Sequence, residues 1–307
     1  MPNDESPMRA LLEKYTNRQS RFLVIDGMMI HYRDEGEGEP ILLLHGAFSS
    51  LHTFDEWTRI LLRNGYRVVR LDIPGFGLTG PHPDHIYTIP NHIRIINIFL
   101  DMVGIEACHF AGSSMGGWLS WELAIKYPER VRKLILIDSA GFLDPENIPL
   151  PFRMARTPFL NRVIKYAIAR PVLESFLREV YSDISKITET LITRYHDLVT
   201  RPGNPEAFLV LVNGTFRDNT HHLRRIEAPT LILWGADDRW LPVESGYRFR
   251  RAIPHSQLIV YKNVGHVPME EIPEISAKDV LRFLALPPKS QLNPTTELEI
   301  GIEKQTT

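Results

Sequence analysis

Gly112-Ser113-Ser114-Met115-Gly116 is the stretch that decides the fold of this chain. It fits the Gly-x-Ser-x-Gly pattern, with Ser114 central and Gly117 following. The segment before it is apolar, with Ala107, Cys108, Phe110 and Ala111. Trp118-Leu119-Ser120-Trp121-Glu122-Leu123-Ala124 reads as a helix after it. Strand, sharp turn and helix in that order make a nucleophile elbow. Small residues let the backbone turn tightly and present a serine hydroxyl at the end of a parallel strand. Ser113 and Ser120 lie off the centre of the turn and are not candidates.

Working outward, apolar runs recur on both sides. Residues 21–35 hold two short strands around Asp26-Gly27, a hairpin signal. Ile41-Leu42-Leu43-Leu44, Arg67-Val68-Val69-Arg70-Leu71, Leu134-Ile135-Leu136-Ile137, Thr230-Leu231-Ile232-Leu233-Trp234 and Gln257-Leu258-Ile259-Val260-Tyr261 read as strands covered on both faces. Helical patterns at 53–63, 89–102, 116–127, 243–251 and 272–285 separate most of them. That alternation predicts a mostly parallel α/β sheet. It breaks between 142 and 224, where no buried strand is evident. Helix-like periodicity there runs over 158–169, 171–182, 184–200 and 205–215, punctuated by prolines. The expected organisation is a core at 1–141 and 225–286, a helical insertion at 142–224, and a polar, mobile tail at 287–307.

A serine hydroxyl becomes a nucleophile only beside a base that an acid orients. In this topology both should follow the serine in sequence, each just past a later strand. Asp237-Asp238 follows the 230–234 strand, and Gly265-His266 follows the 257–261 strand. Of twelve histidines, only His266 follows Gly in the loop after the last strand. Asp238 is taken as the acid. Asp138, at the end of the 134–137 strand, is the competitor, and the adjacent Asp237 is suited to capping or pairing with an arginine. The oxyanion needs two donors: the N–H of Met115, after the nucleophile, and one from His45-Gly46-Ala47-Phe48-Ser49-Ser50. Phe48 is chosen for the second, with Ala47 one register away. His45 reads as a brace for that loop. Phe48, Phe159, Trp240 and Val267 are candidate pocket walls. Asp72-Ile73-Pro74-Gly75-Phe76-Gly77 reads as a fixed turn on the rim, since it lacks the Gly-x-Gly-x-x-Gly pattern.

Together, His45-Gly46, the 72–77 turn, Gly112-Ser113-Ser114-Met115-Gly116-Gly117, Trp234-Gly235-Ala236-Asp237-Asp238 and Gly265-His266 resemble the α/β-hydrolase fold family, in its serine-nucleophile, carboxylesterase- and lipase-like branch. The resemblance covers roughly residues 22–286. It implies an eight-stranded, mostly parallel sheet with helices on both faces and a helical cap inserted after the sixth strand. It also places the acid on Asp238. Family dehalogenases and epoxide hydrolases carry Asp where this chain has Ser114, so those activities are disfavoured. The stretches 114–117 and 237–239 resemble the carbon–carbon hydrolases of ring-cleavage products. Those enzymes usually carry Trp directly after the catalytic His, where this chain has Val267, and a more Gly/Pro-rich oxyanion loop.

The expected activity is therefore hydrolysis of small carboxylic esters of short or medium acyl chain through an acyl-enzyme. The alternatives are a carbon–carbon hydrolase of ring-cleavage diketones, a lactonase or thioesterase, and, last, a non-enzymatic member of the fold. No cofactor or metal is expected; a Cys/His zinc signature and a Gly-Lys-Ser/Thr phosphate loop are absent. The 307 residues are 43% hydrophobic and 23% charged, with a net charge of −2. That balance gives no field favouring nucleic acid. No run approaches the roughly 18 apolar residues of a membrane span. The N-terminus is acidic and polar, unlike a signal peptide. The lone Cys108 reads as a small buried hydrophobe. A cytoplasmic location is expected, and no oligomeric state follows.

Overall fold

A computed structural model describes residues 5–142, 148–157 and 169–287. Eight strands form one sheet in the order β1-β2-β4-β3-β5-β6-β7-β8. They are β1 (Ser20–Ile25), β2 (Met28–Glu35), β3 (Glu39–Leu44), β4 (Tyr66–Leu71), β5 (Cys108–Ser113), β6 (Val131–Ile137), β7 (Thr230–Gly235) and β8 (Ser256–Tyr261). The pairs β1–β2 and β2–β4 are antiparallel; all others are parallel. Asp26 and Gly27, both at positive φ, close the β1–β2 hairpin, as two-residue turns between twisted strands require.

The central strands are buried along their length because helices cover both faces. Ile41 through Leu44, Leu134 through Ile137 and the whole of β7 are buried, which is why these strands read as continuous apolar runs rather than alternating ones. On one side, α2 (Asp55–Arg63) packs against β4 and α11 (Pro273–Leu284). Elsewhere α3 (Ile89–Met102) packs on α4 (Met115–Lys126), α4 lies on β5 and β6, and α9 (Val243–Ala252) lies on β7. Helix α4 is buried from Met115 through Ala124, so it shows no amphipathic stripe. Cys108 sits in β5, and burial pushes its thiol up to about 12.

Strand order reverses at β3, which lies between β4 and β5. The loops leaving the carboxyl ends of β3 and β5 therefore diverge and open a crevice, the place where open α/β sheets bind ligands. The loops after β6, β7 and β8 end on the same edge.

Between β6 and β7 the described residues hold α5 (Leu150–Arg156), α6 (Arg170–Val180), α7 (Glu189–Val199) and α8 (Asn204–Asn213). The helices read at 171–182, 184–200 and 205–215 correspond to α6, α7 and α8. The one read at 158–169 lies outside the described residues apart from residue 169, as does the tail apart from Pro287. Three described helices have no counterpart in the sequence reading: α5, the N-terminal α1 (Glu5–Tyr15) and a single turn at Pro268–Glu271. Helix α1 packs through Met8, Leu11 and Leu12 onto a small separate cluster of Tyr15, Leu78 and Leu198. Its Tyr15 and Lys14 side chains donate to Asp197 of α7. The short α10 (Pro268–Glu271) precedes α11.

Candidate active site

Ser114 stands between β5 and α4 at φ 52° and ψ −115°. That is a costly conformation for a residue with a side chain, and it persists only where surrounding structure over-determines it. Three bonds do so. The Ser114 N–H donates to Ile137 of β6 at 3.0 Å, and its carbonyl accepts from Trp118 at 3.1 Å and Ala140 at 3.0 Å. The glycine two residues on is required by sterics. A Cβ on Gly116 would sit 2.1 Å from the Leu44 carbonyl oxygen at the end of β3. We expect Gly116→Ala to force α4 off the sheet and cost about 3 kcal/mol, at the upper end for overpacking; a urea midpoint unchanged from the parent would contradict this.

The β3 loop approaches the serine just as closely. A Cβ on Gly46 would lie 2.9 Å from the Ser114 Cβ and 3.6 Å from its Oγ. Two residues on, Phe48 adopts φ 62°. Among the described residues, no turn, loop or cap bond takes the N–H of Phe48 or of Met115. His45 holds the loop as its sequence position suggests. Its Nδ1 donates to the Gly46 carbonyl at 2.7 Å, and its Nε2 accepts from the Ile73 N–H at 2.9 Å. Those partners fix one neutral tautomer, and burial lowers the His45 pKa despite the nearby Asp72. Asp72, the first residue of the rim turn, accepts from Leu51 N–H, Leu78 N–H and His31 Nδ1 at 2.7–2.8 Å. Burial opposes its ionisation, but His31, bonded to it through Nδ1, outweighs that and holds the carboxyl below the usual range.

His266 and Asp238 meet across the loops after β8 and β7. The His266 Nδ1 lies 2.6 Å from Asp238 Oδ2, and both residues are buried. Asp238 Oδ1 accepts from the N–H groups of Trp240 and Leu241 at 2.8 and 3.0 Å. Three hydrogen-bonding groups thus converge on its two oxygens. The His266 backbone N–H donates to Val180 at 2.7 Å, anchoring the histidine loop to the end of α6. Its Nε2 is buried with no protein partner among the described residues. Asp237 turns away and accepts from Ser182 Oγ at 2.7 Å. Asp138 is fully buried beside the pair, at φ 42°, and its Oδ1 accepts from the Gly235 N–H at 2.8 Å. A side-chain oxygen or nitrogen from each of Asp138, Asp238 and His266 lies within 4.8 Å of the others.

Two cavities meet at Ser114. The larger, about 490 Å³, is walled by Met115, Trp118, Phe152, Leu211, Val212, Phe216 and Trp240, with Arg156, Glu244 and Arg248 also on its lining. The smaller, about 40 Å³, holds Ser114 and His266 with Phe48, Leu177, Val267 and Met269. Of the expected pocket residues, Trp240 lines both cavities, and Phe48 and Val267 line the smaller. Phe159 lies outside the described residues. The Phe48 ring packs 4.1 Å from that of Phe208 and 5.9 Å from that of Phe152, joining the β3 loop to α8 and α5.

Sequence reasoning missed the buried cluster that ties the helical insertion to the core. Glu270 accepts from Tyr181 and Tyr195 hydroxyls at 2.8 Å, from Arg194 at 2.7 Å, and from Thr53 Oγ1. Its members come from four separate segments, so no local pattern announces them.

Comparisons with known proteins agree with this architecture. A sequence model described as alpha/beta hydrolase fold matches residues 39–273. The chain is similar to a 2-hydroxy-6-oxononadienedioate/2-hydroxy-6-oxononatrienedioate hydrolase of Paraburkholderia phymatum, 30% identical over 295 residues that cover 90% of this chain and 96% of that one. Among solved structures it is similar to a membrane phospholipase A described as a bacterial virulence factor (28% identity, 92% of each chain, TM-score 0.76). It is also similar to CarC, a serine hydrolase involved in carbazole degradation (28% identity, 87% of this chain and 99% of that one, TM-score 0.75). Hydrolysis is common to these descriptions. The curated relative's substrate sides with the ring-cleavage alternative of the sequence reading and does not specify ester cleavage. The chain belongs to the α/β-hydrolase fold family, in its serine-nucleophile branch.

Proposed function

We propose that this hydrolase cleaves carboxylic esters with a short or medium apolar acyl chain, using Ser114, His266 and Asp238. The observation that carries this reading is the apolar wall of the 490 Å³ cavity at Ser114, a size suited to a small ligand. His266 Nε2 takes the Ser114 proton as Oγ attacks the ester carbonyl. The N–H groups of Met115 and Phe48 hold the oxyanion, where charge develops. His266 then protonates the leaving alcohol, and water activated by the same nitrogen releases the acid. Asp238 keeps the proton on Nδ1 and stabilises the imidazolium. In this reading residues 142–224 are a cap over the core segments 1–141 and 225–286. Its contributions to the cavity include Phe152, Arg156, Leu211, Val212 and Phe216. The likeness to a phospholipase A also supports an apolar acyl substrate.

A second reading, cleavage of a carbon–carbon bond in a ring-cleavage dienedioate, is supported by the curated relatives' named substrates and by Arg156 and Arg248 on the cavity lining. A dioate brings two carboxylates, which need cations when taken from water. We rank it second because the rest of that lining is mostly apolar and also carries a carboxylate, Glu244, which disfavours a dianion. Rates on p-nitrophenyl esters from acetate to palmitate, beside a 2-hydroxy-6-oxo dienedioate, separate the two. We expect a peak at a short or medium ester at least tenfold above the dienedioate in kcat/KM; the reverse order would overturn the ester reading.

A further inference from the structure

Asp138 is buried in the middle of the catalytic constellation, yet the mechanism above gives it nothing to do. Its Oδ1 has one donor, the Gly235 N–H, and its Oδ2 is buried with no partner among the described residues. Asp238 lies beside it with three donors on its two oxygens. Two carboxylates sharing a site shut off from water cannot both ionise, and the charge settles on the better solvated one. Here that is Asp238.

We propose that Asp138 is a positioning residue held as a neutral carboxylic acid, its O–H donating to the Asp238 carboxylate and so fixing that carboxylate on His266. The otherwise orphaned Oδ2 carries the proton. This satisfies the buried polar atom and gives Asp238 a further donor without adding a negative charge. The groups facing Asp138 agree with this state. Burial, then the Asp238 carboxylate, push its pKa well above the usual range, with Glu271 of α10 adding to the effect. Tyr261 of β8 also lies near, its hydroxyl donating to Asp279. Among the described residues of this cluster, the group able to carry positive charge is His266, which is committed to Asp238. A neutral Asp138 leaves one negative charge to match the single positive charge on His266 during turnover. An ionised one would leave a surplus that overstabilises the imidazolium and weakens it as an acid.

The inference rests on the triad reading, so its test needs a readout that does not. Asp138→Asn is isosteric with the protonated acid: its amide donates to Asp238 and its carbonyl still accepts from Gly235. Asp138→Ala does neither. We expect Asp138→Asn to label Ser114 with a fluorophosphonate probe within about threefold of the parent rate, and Asp138→Ala to be slower by at least about tenfold, the loss expected for a hydrogen bond to a charged group. The acidic limb of the labelling profile should move only in the Ala variant. Should the Ala variant fail to fold, the Asn variant decides alone. Its difference infrared spectrum should lose a carboxylic-acid carbonyl band at neutral pH. Its stability should also gain on the parent as pH rises. A group whose folded pKa is raised gives stability that is complete below its unfolded value, about 3.8, and lost as pH climbs through the folded one. An Asn variant that labels as slowly as Ala, lacks the band difference, or tracks the parent's stability at every pH would overturn the assignment. If the parent itself is not labelled, the triad reading fails, while the band and the stability slope still decide the state of Asp138.

Discussion

Ser114→Ala should lower kcat by about ten-thousandfold to a millionfold while leaving KM and thermal stability close to the parent's. The expected split follows from what the hydroxyl touches. Among the described residues no structural hydrogen bond uses Ser114 Oγ, whereas the backbone N–H and carbonyl of Ser114 are tied to Ile137, Trp118 and Ala140. Alanine keeps those three bonds and the same positive φ, so the elbow and the cavity walls stay in place. Only the nucleophile leaves. The residual rate reports what the oxyanion donors and the cavity do without it. Steady-state kinetics on the best ester, with a melting curve beside them, checks both halves. A loss below about a hundredfold would mean that bond cleavage does not pass through this serine.

Asp238→Asn should lower kcat by about ten-thousandfold near neutral pH, and the local donors explain why so small a change does so much. The Trp240 and Leu241 N–H groups both point at Oδ1, so the asparagine carbonyl must stay there. Its NH2 then faces His266 Nδ1, where Asp238 Oδ2 now accepts at 2.6 Å. An amide that donates forces Nδ1 to accept, which moves the ring proton to Nε2. That nitrogen can no longer take a proton from Ser114. The fold should survive, because the bonds to Trp240, Leu241 and His266 remain. Unchanged kcat in Asp238→Asn would show that another group sets the histidine tautomer.

Much of this architecture is legible in the sequence because its determinants are local. The apolar runs of β3 and β5–β7 follow from burial on both faces, and the elbow follows from small residues beside Ser114. The loop positions of Asp238 and His266 follow from the chain order of the fold. What stays hidden depends on contacts between distant segments. Helix α5 is only Leu150–Arg156 and begins at prolines, too short for a periodic pattern to stand out. Helix α1 gains order from Asp197, some 180 residues away in sequence. The Glu270 cluster joins Thr53, Tyr181, Arg194 and Tyr195, so its buried charge pairing cannot be read from any window. The proposed role of Asp138 is hidden for a different reason. From sequence it competes with Asp238 for His266, and the unequal placement of backbone donors, two on Asp238 and one on Asp138, emerges only in the fold. Specificity divides in the same way. In the proposed mechanism Ser114 and its chain partners set the reaction type, whereas the cavity is assembled from α4, α5, α8, α9 and loops between elements.

One measurement addresses the central claim most directly: mass spectrometry of the protein quenched during turnover of a slowly deacylating ester. The account predicts an added acyl mass on the peptide that carries Ser114, absent in Ser114→Ala. Steady turnover with no acyl adduct, or an adduct on another residue, would contradict it.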